Sequence, residues 1–222
     1  MNNTDKMTNE TEPKSLKRFT TIQVKTETLK CKKNDSEWLY SYGTPCPENC
    51  NYGCCRFILG EVMKHPNQKA LICIGLNPST ATPMNLDATL SRVQKRAHSQ
   101  KFDSWYMINL YPQRATDPKD FDEQINQDYF DNNIKEIEYL LKSLTDNNVN
   151  VTIWCAWGSN ISIKEYLSCC KDKIFDIIFK FKITDIKELY PLDKTQRPHP
   201  IHPIASIKCK RDDLENYTKR KN

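Results

Sequence analysis

The residues best placed to do chemistry lie in a short polar segment that follows an apolar run. Residues 70–74 are apolar throughout, which predicts a buried strand. The run stops at Gly75, where the backbone can turn without a Cβ penalty, and Asn77 favours a turn because it precedes Pro78. The Asn77 amide does not accept a proton near neutral pH, but it can orient a water molecule. Ligands bind where strands end in open α/β sheets, so residues 75–79 are predicted to be an active-site loop, with a plain turn as the alternative.

A second strand, predicted over residues 103–110, ends in a similar polar segment bounded by prolines. Asn109, Arg114 and Thr116 are therefore expected on the same rim as the first loop. The alternative is a capped helix start at residues 117–118, which does not explain Arg114.

One carboxylate follows the first loop closely. Asp87 opens the pattern D-x-T-x-x-R and is a candidate general base if Asn77 only orients water. Arg92, which ends the pattern, is expected to pair with Asp87 and to fix the loop.

Two of the four histidines lie in the last predicted loop, where residues 198–203 read PHPIHP. Proline restricts the backbone, so this loop is expected to be stiff and to present His199 and His202. The alternative for each is a solvated surface histidine.

The elements that must position these segments alternate along the chain. Apolar runs predict further strands at residues 151–157 and 174–183. Apolar residues at helical spacing predict helices at residues 86–99, 118–144 and 162–171. This alternation indicates an α/β protein with a largely parallel sheet.

Composition limits the function only loosely. Among 222 residues, 33 Lys and Arg face 28 Asp and Glu, and the net charge of +5 suits a polyanion partner without requiring one. The polar start and the lack of a long apolar run predict a cytoplasmic protein with no membrane association.

The predicted organisation has four parts. A disordered tail at residues 1–18 precedes a Cys-rich extension at residues 19–55, in which the alternation of residues 19–32 favours an edge strand or a hairpin. The α/β domain covers residues 56–207, its first helix is expected to begin near Gly53, and residues 208–222 form a basic flexible tail.

Clustered cysteines raise the question of a metal. Several thiolates could hold zinc or an iron–sulfur cluster. The spacing lacks the usual C-x2-C pair and no second pair follows, so we expect packed or solvent-facing thiols and no cofactor. The cluster consists of Cys46, Cys50, Cys54 and Cys55, with Cys31 upstream.

Four motifs, in order, resemble those of the uracil-DNA glycosylase superfamily, most closely its mismatch-specific branch. GLNPS at residues 75–79 is similar to the first motif, and NLYPQRAT at residues 109–116 to the second-strand motif. Trp157-Gly158 and the HPIHP at residues 199–203 are similar to the strand-end and final motifs. The same set, over roughly residues 56–205, also resembles a family of bacterial and phage proteins without an assigned function.

The glycosylase resemblance implies a three-layer sandwich with a central, mostly parallel four-stranded sheet. It implies a DNA glycosylase that flips a damaged, mismatched or modified base and hydrolyses its N-glycosidic bond, with Asn77 positioning the water. His199 would donate to the leaving base or wedge the strand, so the catalytic candidates are Asn77, Asp87 and His199. The substrate-binding candidates are Gly75, Leu76, Pro78, Ser79, Arg92, Asn109, Tyr111 as a stacking face, Arg114 as a ligand of phosphate or base, Thr116 and His202.

Two departures from the superfamily motifs leave the substrate open. Ser79 replaces a glycine, and the HPIHP loop replaces a Ser-containing motif. A larger pocket for modified cytosine, as in defence against phage DNA, is consistent with both. The alternatives are a non-catalytic nucleic-acid or nucleotide binding module of the same fold, or a hydrolase or transferase of free nucleosides or nucleotides that uses Asp87.

Overall fold

The computed structural model describes residues 22–30, 36–44, 54–63, 69–189, 198–208 and 214–217. The predictions for residues 1–18 and for Cys31, Cys46 and Cys50 lie outside these ranges. The strands are β1 (Gln23–Lys30), β2 (Ser36–Thr44), β3 (Cys55–Met63), β4 (Lys69–Gly75), β5 (Ser104–Asn109), β6 (Asn150–Cys155), β7 (Ile186–Leu189) and β8 (Leu214–Asn216). The α-helices are α1 (Ala88–Ser99), α2 (Gln127–Asp146) and α3 (Tyr166–Lys180), and 3-10 turns lie at Pro118–Asp120, Ser159–Ile163 and Pro203–Lys208.

The strands form one mixed sheet in the order β1-β2-β3-β5-β4-β6-β7-β8. The pairs β4–β5, β4–β6 and β6–β7 are parallel, whereas β1–β2, β2–β3, β3–β5 and β7–β8 are antiparallel. The predicted fold, a sandwich around a central, mostly parallel four-stranded sheet, is therefore wrong. The sheet has eight strands in the described residues, and its N-terminal part is antiparallel throughout.

Two segments were assigned to the wrong kind of element. The helix expected near Gly53 is instead β3, in which residues 55–61 are all buried. A strand buried on both faces has no alternating pattern, so its sequence does not distinguish it from a buried helix. The strand expected at residues 174–183 belongs mostly to α3, and the strand that follows begins at Ile186.

The core lies on both faces of β4, which is buried from Ala70 to Gly75. Alternate residues of β4 point to opposite faces. Ile72 and Ile74 pack in the cluster that includes apolar residues of α2 and α3, and Leu71 and Cys73 pack in the cluster that includes apolar residues of α1. None of the helices in the described ranges is long and apolar enough to cross a membrane.

Strand register places three loops at one edge of the sheet. Gly75 pairs with Asn109, and Ile74 pairs with Cys155. Backbone bonds extend this alignment past the strands, since Leu110 N donates to Gly75 O at 2.9 Å. The loops that follow β4, β5 and β6 therefore leave the sheet side by side.

Gly60 in β3 leaves no space for a side chain. A Cβ atom there would lie 2.5 Å from the backbone oxygen of Trp105 and would also collide with the ring of Tyr106. Gly60→Ala must shift β3 away from β5, so we expect it to lower the free energy of unfolding by about 3 kcal/mol in urea titrations. Gly43→Ala is the control, because its nearest neighbour is the mobile end of Ile22 at 3.0 Å. Equal losses in the two variants would contradict this packing.

Candidate functional site

A cleft of about 400 Å³ opens where β4 and its neighbours end. We call it the Asn77 cleft. The cleft is lined by seven of the site residues predicted from the sequence, namely Gly75, Leu76, Asn77, Ser79, Asp87, Thr116 and His202. The cleft is also lined by Arg56, Trp157 and Asn160, which were not predicted as site residues from the sequence.

The side chain of Asn77 is held through its nitrogen. Nδ2 donates to the backbone oxygens of Ala115 at 2.7 Å and Pro78 at 3.2 Å. Both acceptors are carbonyls, so the oxygen of the amide must be the atom turned away from them. Oδ1 has no partner in the described part of the chain, which leaves an oriented acceptor on the wall of the cleft.

Asp87 is fixed by both of its oxygens. Oδ1 accepts from Leu90 N at 2.8 Å as the N-cap of α1, and Oδ2 accepts from the hydroxyl of Ser79. A carboxylate at a helix N-terminus is stabilised in its charged form by the helix dipole. The cleft therefore contains a fixed negative charge.

Two guanidinium groups brace the loop between Ser79 and Ala81. Arg114 donates to the backbone oxygens of Ser79 and Ala81, the latter at 3.3 Å, and to the hydroxyl of Tyr40 at 2.5 Å. Arg56 donates to the oxygen of Ala81 at 3.2 Å. Arg114, which was expected to bind a phosphate or the base, thus contacts the protein's own loop.

Arg56 is buried completely beside the cleft. Its burial, together with the charge of Arg114, lowers its pKa to about 9, and Asp87 opposes this shift. Arg56 therefore remains cationic at neutral pH. The only sequence signal for it is a charged residue within the apolar run from Cys54 to Leu59.

His202 presents a defined tautomer to the cleft. Its Nδ1 accepts from the backbone nitrogen of Ile204 at 3.3 Å, so the neutral ring carries its proton on Nε2. Burial lowers the pKa of His202, Arg92 lowers it further, and Asp87 opposes both. The ring is therefore neutral at physiological pH and offers one N–H donor.

Arg92 fixes the loop that carries His202. Its guanidinium donates to the backbone oxygens of Pro203 at 3.3 Å and of Ile204. The pairing of Arg92 with Asp87 that the sequence suggested is thus replaced by an anchor between α1 and the last loop.

Three other candidates lie outside the Asn77 cleft. Asn109 is fully buried, and neither atom of its side-chain amide has a partner within the described ranges. Tyr111 is also fully buried, and its hydroxyl accepts from Asn126 N at 2.9 Å, so its ring has no exposed face for stacking. Pro78 accepts from Ala115 N at 3.1 Å through its backbone oxygen.

His199 lies in a second pocket of about 330 Å³, which we call the His199 pocket. Trp157 lines both pockets. In the His199 pocket, Nε2 of His199 is 3.4 Å from Oγ of Ser162. The catalytic candidates are therefore divided, with Asn77 and Asp87 in one pocket and His199 in the other.

Two cysteines of the N-terminal cluster, Cys54 and Cys55, lie in the described ranges. Cys54 is half-buried and Cys55 is buried. A hydrogen bond with Cys55 lowers the pKa of the Cys54 thiol, and burial raises that of Cys55. No group of three or more His, Cys, Asp or Glu side chains suited to a metal ion occurs in the ranges that the structure describes.

Comparison with known proteins gives one match. The family model described as "Protein of unknown function (DUF1643)" matches residues 56–204. Searches among curated proteins and among solved structures found no match. The matched region contains every residue that lines the Asn77 cleft, from Arg56 to Ile204, whereas β1 and β2 precede it.

Proposed function

The chain belongs to the DUF1643 family, and from the contents of the Asn77 cleft we propose that it is a DNA glycosylase. It would accept a base flipped out of DNA and hydrolyse the bond between that base and its deoxyribose. A distant relationship to the uracil-DNA glycosylase superfamily, which rests on the order of four motifs, is part of this proposal.

The observation that carries the proposal is the pairing of two groups in one cleft. One is the unpartnered Oδ1 of Asn77, and the other is the neutral imidazole of His202 with its proton on Nε2. An acceptor can orient a water molecule, and a neutral donor can bind an anion that forms during reaction. Both functions assist the hydrolysis of a glycosidic bond.

The reaction follows from these positions. Asn77 Oδ1 accepts a hydrogen bond from the water, whose oxygen attacks C1′ as the C1′–N bond breaks. The electron pair of that bond leaves with the base, and His202 Nε2–H donates to the resulting anion. Asp87 stabilises the positive charge that develops on the sugar and can accept the proton of the water, because each carboxylate oxygen accepts more than one hydrogen bond.

The cleft volume supports a nucleotide-sized ligand. About 400 Å³ lies within the range of small-molecule sites. We propose a damaged, mismatched or modified base as the substrate, including the modified cytosines of phage DNA. The net charge of +5 is compatible with a polyanion such as DNA.

The hydrogen bonds of Asp87 disfavour a role for its carboxylate as a nucleophile. Both of its oxygens already accept hydrogen bonds, from Ser79 and from the backbone of Leu90. These bonds hold the carboxylate in place as a helix cap. The glycosylase reaction needs no covalent bond between the substrate and Asp87, so we prefer a glycosylase to a transferase.

A panel of labelled duplexes tests the proposal. They carry uracil, mismatched thymine, hydroxymethylcytosine or glucosylated hydroxymethylcytosine, and alkali cleaves the strand wherever a base has left. We expect single-turnover release from at least one duplex. Salt-sensitive binding without release from any of them would favour a binding module instead.

A further inference from the structure

The His199 pocket combines several groups that suit an anion. It lies between the first turn of α3, the 3-10 turn Ser159–Ile163 and the proline-bounded loop of His199. Two lysines, Lys164 and Lys171, line it, together with the hydroxyl-bearing Ser162 and Ser168.

The two lysines are built into the wall of the pocket. Only 11% of the Lys164 side chain and 15% of the Lys171 side chain are exposed. Their partners are carboxylates that remain largely in solvent, Glu123 at 2.7 Å with 89% exposed and Asp172 at 3.4 Å with 59% exposed. Such pairs contribute little to stability, so a ligand can replace the carboxylates at small cost.

A buried donor without an acceptor supplies independent evidence for a ligand. The side chain of Trp157 is 2% exposed, and its indole nitrogen has no hydrogen-bond partner in the described part of the chain. A buried unpaired donor is unfavourable, and an acceptor atom of a ligand would relieve that cost. Glu165, the N-cap of α3, also lines the pocket and is exposed, so its carboxylate lies at the rim.

We propose that the His199 pocket binds a phosphoryl group, the backbone phosphate next to the nucleotide that occupies the Asn77 cleft. This rests on the proposed function. The adjacency comes from Trp157, which lines both pockets, so a strand that places a base in one passes the other. Lys164 and Lys171 supply the charge, and Ser162 and Ser168 supply hydroxyl donors.

Salt titration of DNA affinity tests this site without any catalytic step. The probe is the tightest-binding duplex of the panel, measured by fluorescence anisotropy. Lys164→Gln combined with Lys171→Gln is expected to weaken binding about tenfold near 0.1 M salt and to reduce the salt slope by about 1, as the loss of one phosphate contact does. The control combines Lys142→Gln with Lys180→Gln, which makes the same change in net charge at side chains that are 63% and 65% exposed. This control should leave the DNA affinity and the salt slope unchanged.

Two further measurements separate a binding defect from misfolding and identify the source of the phosphate. Lys164→Arg combined with Lys171→Arg should restore DNA affinity, because arginine retains the charge. Inorganic phosphate is titrated while the indole N–H signal of Trp157 is followed by NMR. A Gln variant that loses the phosphate-induced shift but binds DNA normally would assign the pocket to a free phosphorylated molecule and overturn the DNA assignment.

The remaining outcomes also decide. An unchanged salt slope together with no response of Trp157 to phosphate would overturn the site altogether. A reduced slope with no base release from any duplex would retain the phosphate site and remove the glycosylase proposal. Base release with an unchanged salt slope would retain the glycosylase proposal and remove the phosphate site.

Discussion

Asn77→Ala is expected to lower the single-turnover rate of base release by about 10²–10³-fold while DNA affinity changes by less than about threefold. The variant removes Oδ1, an oriented acceptor of the cleft, and with it the position of the attacking water. Binding should persist, because the variant changes neither the net charge of +5 nor the lysines of the His199 pocket. Quench-flow kinetics at saturating enzyme separate the two quantities.

Asn147→Ala is the matched control for this prediction. Asn147 follows α2, and its amide donates to the backbone oxygen of Ser143 at 2.8 Å, at an exposed position that does not line the cleft. It removes the same chemical group, so its rate of base release should equal that of the wild type. A rate for Asn77→Ala within threefold of the wild type would show that Asn77 does not position the water.

His202→Ala is expected to lower the rate by about 10²–10⁴-fold, the range for loss of a group that assists a leaving group. The reason is the defined tautomer. Ile204 N occupies Nδ1, so the Nε2–H of the neutral ring is the donor for the departing base. The effect should be largest for bases that leave poorly, because they depend most on this donor.

His202→Gln provides the internal check. An amide retains an N–H donor without a titrating ring, so this variant should recover part of the rate lost in His202→Ala, as measured in the same single-turnover assay. Equal rates in the two variants would mean that the role of His202 is packing and not donation.

The strands that carry the site could be predicted from the sequence. Residues 70–74 correspond to β4, residues 103–110 to β5 and residues 151–157 to β6. Each is a short apolar run that ends in a turn, and parallel register then brings the following loops together. The helix predicted at residues 86–99 corresponds to α1, which Asp87 caps.

The antiparallel half of the sheet could be predicted only in part, since the edge strand expected from the alternation of residues 19–32 corresponds to β1. β3 is buried on both faces, so its pattern resembled a helix, and the register of β2 with β3 depends on tertiary contacts. Arg56 illustrates the consequence for the site. Arg56 contacts Ala81, which is 25 positions further along the chain, and no local sequence pattern predicts a contact between residues so far apart.

The roles of the arginines were unpredictable for a related reason. Arg92 and Arg114 stand in motifs that suggest ligand binding, yet both donate to backbone oxygens of the loops that form the cleft. Sequence spacing indicates which residues meet at a sheet edge. It does not indicate whether a guanidinium faces the ligand or the protein.

The most direct test of the central claim is a crystal structure of the Asn77→Ala variant with the tightest-binding duplex of the panel. We predict that one nucleotide lies in the Asn77 cleft, with an acceptor of its base within hydrogen-bond distance of His202 Nε2. A duplex whose bases all remain stacked, with the cleft unfilled by any nucleotide, would contradict the account.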